Sequence, residues 1–157
     1  MNRAQRSGLL IGISLLLCVA FTAKGADFYE LRLASGKEAY HAGRFADAAE
    51  QLRVAVFGFL DRPLLLSEGL ARLVLAEESA GNHAAVQEEL TRLLDAERRY
   101  GNWSRIPLEP PLRQRLTTLL LRDVPPETLG AIPSLASIAP ETPGAPRARR
   151  KRAPPKA

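Results

Sequence analysis

At 157 residues the chain is long enough for one folded domain and short for two. Aromatic residues make up only 6% of it, while Ala and Leu dominate the middle, which favours helices packed through small side chains over a sheet. The formal charge is +5, but nine of the 22 Lys and Arg lie in residues 1–25 and 147–157; the stretch between them holds 13 against all 17 acids, a net of −4. The basic excess belongs to the two ends, so it does not argue for a basic nucleic-acid-binding domain.

The chain opens with Arg3 and Arg6, followed by a run from Leu9 to Ala23 that is apolar or small throughout. Ala23-Lys24-Gly25 then presents small residues at the spacing a signal peptidase reads. This three-part layout predicts a secretory signal over residues 1–25, cut before Ala26. The alternative is an uncleaved membrane anchor. Either way the basic start stays inside and the remainder is delivered beyond the cytoplasm, to a periplasm or the exterior. Cys18 has Leu17 before it, where lipid attachment needs a small residue, so it reads as one more apolar residue of the run. Without it the mature chain has no thiol and no disulfide.

Five helices are predicted after the signal. The first covers about Asp27 to Ala42, with Asp27 as N-cap and Phe28, Leu31, Ser35, Ala39 and Ala42 on one face. Gly43-Arg44 breaks it. The second covers Phe45 to Phe59, where Phe45, Ala48, Ala49, Leu52, Ala55, Val56 and Phe59 recur at helical spacing. Pro63 suits the first turn of the third, which runs to Ala80. Leu64, Leu65, Leu66, Leu70, Leu73, Val74 and Leu75 cover most of its circumference, the mark of a central helix. Glu68 and Arg72 are spaced to pair along its polar strip. After Gly81-Asn82, the fourth runs from His83 to Tyr100 with His83, Val86, Leu90, Leu93, Glu97 and Tyr100 in line. A loop from Gly101 to Pro110 precedes the fifth, Pro111 to Leu121, striped by Leu112, Leu116, Leu119 and Leu120. Recurring prolines and a final stretch rich in Pro, Ala and Arg predict a disordered tail over residues 123–157.

The order helix, glycine turn, helix occurs twice, with Gly43 and Gly81 separated by 38 residues. That period lies in the range of helical-hairpin arrays. From Gly36 to Ala55 the chain resembles the tetratricopeptide repeat: small Gly36, aromatic Tyr40, turn Gly43, aromatic Phe45, then small Ala48 and Ala55 with large Leu52 between them. Small residues let two helices approach, and large ones fill the gaps beside them. The second unit departs from the pattern, with Val74, Val86 and Leu93 where small residues are expected and His83 in place of the aromatic. The fold expected is therefore all-α: about two antiparallel hairpins and a capping helix over residues 26–122.

Reactive constellations are missing from the sequence. His41 and His83 lie in different hairpins without a carboxylate or cysteine at ligand spacing, so no catalytic residue, metal site, cofactor or small-molecule substrate is implied. His41 reads as a surface residue at a helix end and His83 as an interhelical packing residue. Glu77-Glu78 and Glu88-Glu89 read as solvated faces, since neighbours on a helix diverge by about 100°. Asn102-Trp103-Ser104 matches a glycosylation sequon, and Trp103 reads as a loop anchor between the fourth and fifth helices.

In the tetratricopeptide family the first helix of each hairpin lines a groove that accepts a peptide. The resemblance implies such a groove at Leu33, Lys37, Tyr40 and His41, continued by Ala71, Leu75 and Glu78, and hence a protein or peptide as partner. The expected function is an exported, non-catalytic interaction module, an adaptor or assembly factor. The alternative is a binder of anionic surfaces or polymers through Arg147, Arg149, Arg150, Lys151, Arg152 and Lys156.

Overall fold

The computed structural model describes residues 28–140, and these form helices joined by turns, without a strand. Helix α1 spans residues 28–41. It is followed by α2 (Phe45–Phe57), α3 (Pro63–Ala80), α4 (His83–Tyr100), a short 3-10 turn (Trp103–Arg105), α5 (Pro110–Asp123) and α6 (Pro126–Gly130). The helices pack as consecutive antiparallel hairpins, α3 lying against both α2 and α4. The all-α architecture expected from the sequence is thus the one observed. The expected signal, the N-cap Asp27 and the basic cluster from Arg147 to Lys156 fall outside the described residues.

Both hairpin turns depend on glycine. Gly43 and Gly81 take φ values of 73° and 77°, a left-handed conformation open to glycine without steric cost. The backbone can then reverse, and at the second turn Asn82 N–H reaches back to the Glu77 carbonyl at 2.9 Å. Asn82 also caps α4, its side chain accepting from the Ala85 N–H.

Close packing defines the first hairpin. Ala48, Ala49, Leu52, Ala55, Val56 and Phe59 are all buried, as the periodicity of α2 predicts. A Cβ placed on Gly36 would stand 2.6 Å from Leu52 Cγ, so only glycine allows α1 to lie this near α2. Phe45 packs edge-on against Tyr40, ring centres 5.3 Å apart. Helix α2 ends two residues earlier than expected, at Phe57, where Gly58 passes so close to the Tyr29 ring that a side chain would overlap it. In α3 every residue from Leu66 to Glu77 is buried, as befits a helix with neighbours on all sides.

Three expectations are corrected. On α1 the buried line is Leu33, Gly36 and Ala39, while Phe28, Leu31, Ser35 and Ala42 are exposed. The demand that Gly36 meet Leu52 sets the rotation of α1, and its largest apolar residues are turned outward. Folded structure also continues past residue 122. Val124, Leu129, Ile132 and Leu135 are buried in the core, and Ser134 Oγ donates to Glu97 Oε2 at 2.8 Å. Prolines here start and stop short turns, such as α6 with Pro126 in its first turn, and apolar residues between them supply the burial. Finally, His83 is exposed; as the first residue of α4 it extends from the end of the hairpin, and Val86 is the first α4 residue to enter the core.

Candidate functional site

The surface expected to form a groove is built from α1 and α3, and α5 occupies it. Leu33, Ala71 and Leu75 are core residues, Leu75 fully buried. Leu112 of α5 comes down beside Gly36, Tyr40, Leu52 and Leu75 and leaves only a narrow interstice. Arg115, one turn along α5, pairs with Glu78 and donates to Tyr40 Oη at 3.2 Å. Tyr40 Oη also accepts from Ser79 Oγ. The surface where the resemblance implies a groove is therefore covered by α5 at Tyr40, Leu75 and Glu78, while Lys37 and His41 keep part of their side chains accessible.

Beside Leu112 lies a chain of charges. Lys37 Nζ stands 3.0 Å from Glu68, and Glu68 accepts from Arg72 Nε at 3.0 Å. Arg72 continues to the Pro107 carbonyl at 2.9 Å and to Glu109 at 3.2 Å. His41, exposed at the end of α1 as expected, lies 3.9 Å from Glu109. Glu68 and Arg72 do pair, but each is only 4% exposed, so the polar strip expected on α3 is an interior ion pair. Burial pushes the Glu109 carboxyl up, yet its own backbone N–H and the Arg72 guanidinium together hold it below the usual glutamate value. The network ties α1, α3 and the segment before α5 into one body.

The carboxylates expected on solvated faces divide. Glu78 is half-buried beneath Arg115 and Glu88 is exposed, but Glu77 and Glu89 are buried. Arg53 of α2 pairs with Glu77, which also accepts from Asn82 at 3.1 Å, and Arg92 reaches Glu89 at 2.8 Å. Burial, partly offset by Arg92, pushes the Glu89 carboxyl above its ordinary value of 4.5. A third carboxylate, Glu97, is 1% exposed. Its Oε2 accepts from the Trp103 N–H at 2.9 Å, which pins the loop after α4. Trp103 is buried as a loop anchor, with Arg113 of α5 stacked 5.4 Å over its ring. Asn102 is 3% exposed and donates to Ser67 Oγ, which leaves no space for a glycan at the sequon.

Sequence periodicity missed an apolar surface on the first hairpin. Phe28, Tyr29, Val54 and Phe57 line an open depression of about 530 Å³ between α1 and α2, with Glu50 and Arg53 at its edge. No residue of α3, α4 or α5 lines it. Phe57 is 72% exposed, Leu31 and Leu60 66% each. The signal was present in α2: Val54 and Phe57 lie three residues apart and off the buried line, a second apolar stripe on a helix that needs one.

Among the described residues, no group of three or more His, Cys, Asp or Glu could hold a metal ion, and no helix is long and apolar enough to cross a membrane. Comparison of the chain with protein-family models, curated proteins and solved structures gives no match.

Proposed function

We propose that this protein is an exported, non-catalytic interaction module related to the tetratricopeptide repeats, and that it holds another protein through the outer face of its first hairpin. The observation that carries the reading is the contrast between two surfaces. The groove side is filled by α5, whereas the depression between α1 and α2 keeps Phe28, Val54 and Phe57 exposed to solvent. Exposed apolar side chains that gather in one place on a soluble domain mark a contact surface. Export rests on the arginines, apolar run and small-residue site of residues 1–25. Kinship to the repeat family rests on the Gly36–Leu52 approach and on the glycine turns at 43 and 81.

A photo-crosslinking residue at Phe57 tests the proposal against one at Lys37. Adducts formed in the envelope fraction from position 57 and not from position 37 are the expected result. Adducts from position 37 alone would return the contact to the groove side and overturn the assignment.

A second reading follows from charge segregation. Six of the eleven residues from Arg147 to Ala157 are cationic, beside a body of net negative charge. This composition suits attraction to an anionic surface or polymer, an interaction that weakens as the screening length shrinks from about 10 Å at 0.1 M salt to about 3 Å at 1 M. Removal of residues 147–157 should abolish such binding.

A further inference from the structure

We infer that the segment from Pro125 to Ala139 is a releasable strap, which opens as a unit while helices α1 to α5 stay folded, and that Glu97 beneath it favours the opening. The inference is independent of the contact surface on the first hairpin. Its first support is the way the segment is built. Leu129, Ile132, Leu135 and Ile138 follow at intervals of three, and the N–H of each of the last three donates to the carbonyl of the one before, at 3.2, 2.9 and 3.0 Å. Turns closed at this interval bring every third side chain to one edge. That edge faces the body: Leu129, Ile132 and Leu135 are buried and Ile138 is half-buried, while the residues between them are exposed except Ser134.

The second support is how little ties this edge to the helices. Among the described residues, the backbone hydrogen bonds made by the N–H groups from Thr128 to Ile138 all close within the segment, and none reaches α1 to α5. One side-chain hydrogen bond crosses to the helices, from Ser134 Oγ to Glu97 Oε2 at 2.8 Å. A segment that keeps its backbone bonds when it lifts gives up only the burial of three apolar side chains and this one contact. Such a unit opens at a free energy well short of global unfolding.

The third support is Glu97 itself, which lies near the end of α4 and is 1% exposed. Its Oε2 takes both donors, the Trp103 N–H at 2.9 Å and Ser134 Oγ. Its Oε1 is buried and has no hydrogen-bond partner among the described residues. Neither donor is a cation, whereas buried Glu77 and Glu89 face Arg53 and Arg92. A buried polar oxygen without a partner raises the free energy of the state that contains it. Lifting the strap removes Ser134 and admits water to the carboxyl, and this relief offsets part of the apolar burial lost. The closed strap is thus held by Leu129, Ile132 and Leu135 and opposed by Glu97. The Trp103 N–H bond does not involve the strap, so the loop after α4 stays pinned when the strap opens.

Native-state amide hydrogen exchange of the protein recovered from its exported fraction, followed residue by residue by NMR, tests the inference. The amides of Ile132, Leu135, Ala136 and Ile138 should share one opening, with protection at least about tenfold lower than that of the amides from Leu70 to Ala76 in α3. Glu97→Gln keeps an oxygen for both donors and replaces the carboxyl with a neutral amide, which costs less to bury. It should slow exchange in the strap by about threefold or more, whereas Ser134→Ala should hasten it. Far-ultraviolet circular dichroism checks that each variant keeps its helix content. Protection of the strap equal to that of α3 in the parent protein overturns the inference. Faster exchange in the parent that Glu97→Gln leaves unchanged or hastens removes the role given to Glu97. Should Glu97→Gln lose helix, Ser134→Ala decides, and exchange no faster than in the parent overturns the clasp between strap and α4.

Discussion

The two hairpins share a plan and differ in their surroundings. The second, α3 and α4, has neighbours on both sides: α1 and α2 on one, the Trp103 loop and α5 on the other. None of its large apolar side chains is strongly exposed, and its interior contains Glu77, Glu89 and Glu97, with arginines or backbone N–H groups as partners. Among the described residues the first hairpin has a neighbour on one side only. It packs inward through Gly36, Ala48 and Ala55 and presents Phe28, Leu31, Val54 and Phe57 outward. The difference shows that burial in a stacked fold belongs to the junction between units, and that an apolar face without a neighbour identifies where the stack is open.

The largest expected effect falls on the enclosed side. Arg72→Ala leaves buried Glu68 with Lys37 alone and frees the Pro107 carbonyl and Glu109. Removing one member of an interior ion pair costs about 3 kcal/mol or more, and urea denaturation should show a loss of that size. A loss below about 1 kcal/mol would mean that the network adds little to holding α5 and its preceding segment against α3.

The next substitution breaks the comparison within a single helix. Leu33→Ala should cost about 2–4 kcal/mol, since it opens a void in a packed core. Leu31→Ala, measured in dilute solution, should stay within about 0.5 kcal/mol of the parent. Thermal unfolding of the pair reads the rotation of α1 directly, and a reversed order would place the Phe28–Leu31 face inward.

Gly36→Ala sharpens the point at smaller amplitude. Its new methyl group meets Leu52 in a close approach of α1 to α2, and overpacking of this kind costs about 1–3 kcal/mol. Ala48→Leu should behave alike, whereas Ala46→Leu, at an exposed position, should change the melting temperature little. Equal melting temperatures for the three variants would contradict the close-packed hairpin.

The smallest effect is a pH dependence. The Glu89 carboxyl is raised above 4.5 by burial, so the folded protein holds its proton more tightly than the unfolded chain does. That contribution to stability is present at low pH and is lost as pH rises from 4.5 through the folded-state value. Glu89→Gln lacks the ionisation. Its melting temperature relative to the parent should therefore increase between about pH 4 and about pH 7. A constant difference would assign the carboxylate no role in the pH response.

Much of the fold was legible because local signals agreed. Glycines at 43 and 81 place the turns, since the left-handed backbone there is costly for other residues. The spacing of Ala48, Leu52 and Ala55 identifies the buried face of α2, and the apolar circumference of α3 marks it as central. The charge pair of α3 was also readable at its i, i+4 spacing. By contrast, the expected line on α1 failed because it was chosen by apolar size. Apolar residues are permitted on a surface as well as in a core, and the close approach of Gly36 to Leu52 outweighed the preference of Phe28 and Leu31 for the interior.

The sequence by itself determined the all-helical class, the order of the first five helices, the two glycine turns and the packing of α2, because each depends on residues close together in the chain. Only the tertiary structure decided which way α1 is rotated, that α5 covers the α1–α3 surface, that Glu77, Glu89 and Glu97 are interior, and that Val124, Leu129, Ile132 and Leu135 belong to the core. Several of those outcomes depend on partners 19 to 75 residues away, such as Arg32 with Gln51 and Tyr40 with Arg115. Spacing along one helix carries no information about which distant side chain will reach it. The outer face of the first hairpin became visible for the same reason: its exposure is a property of the neighbours that the other helices have and that this hairpin lacks among the described residues.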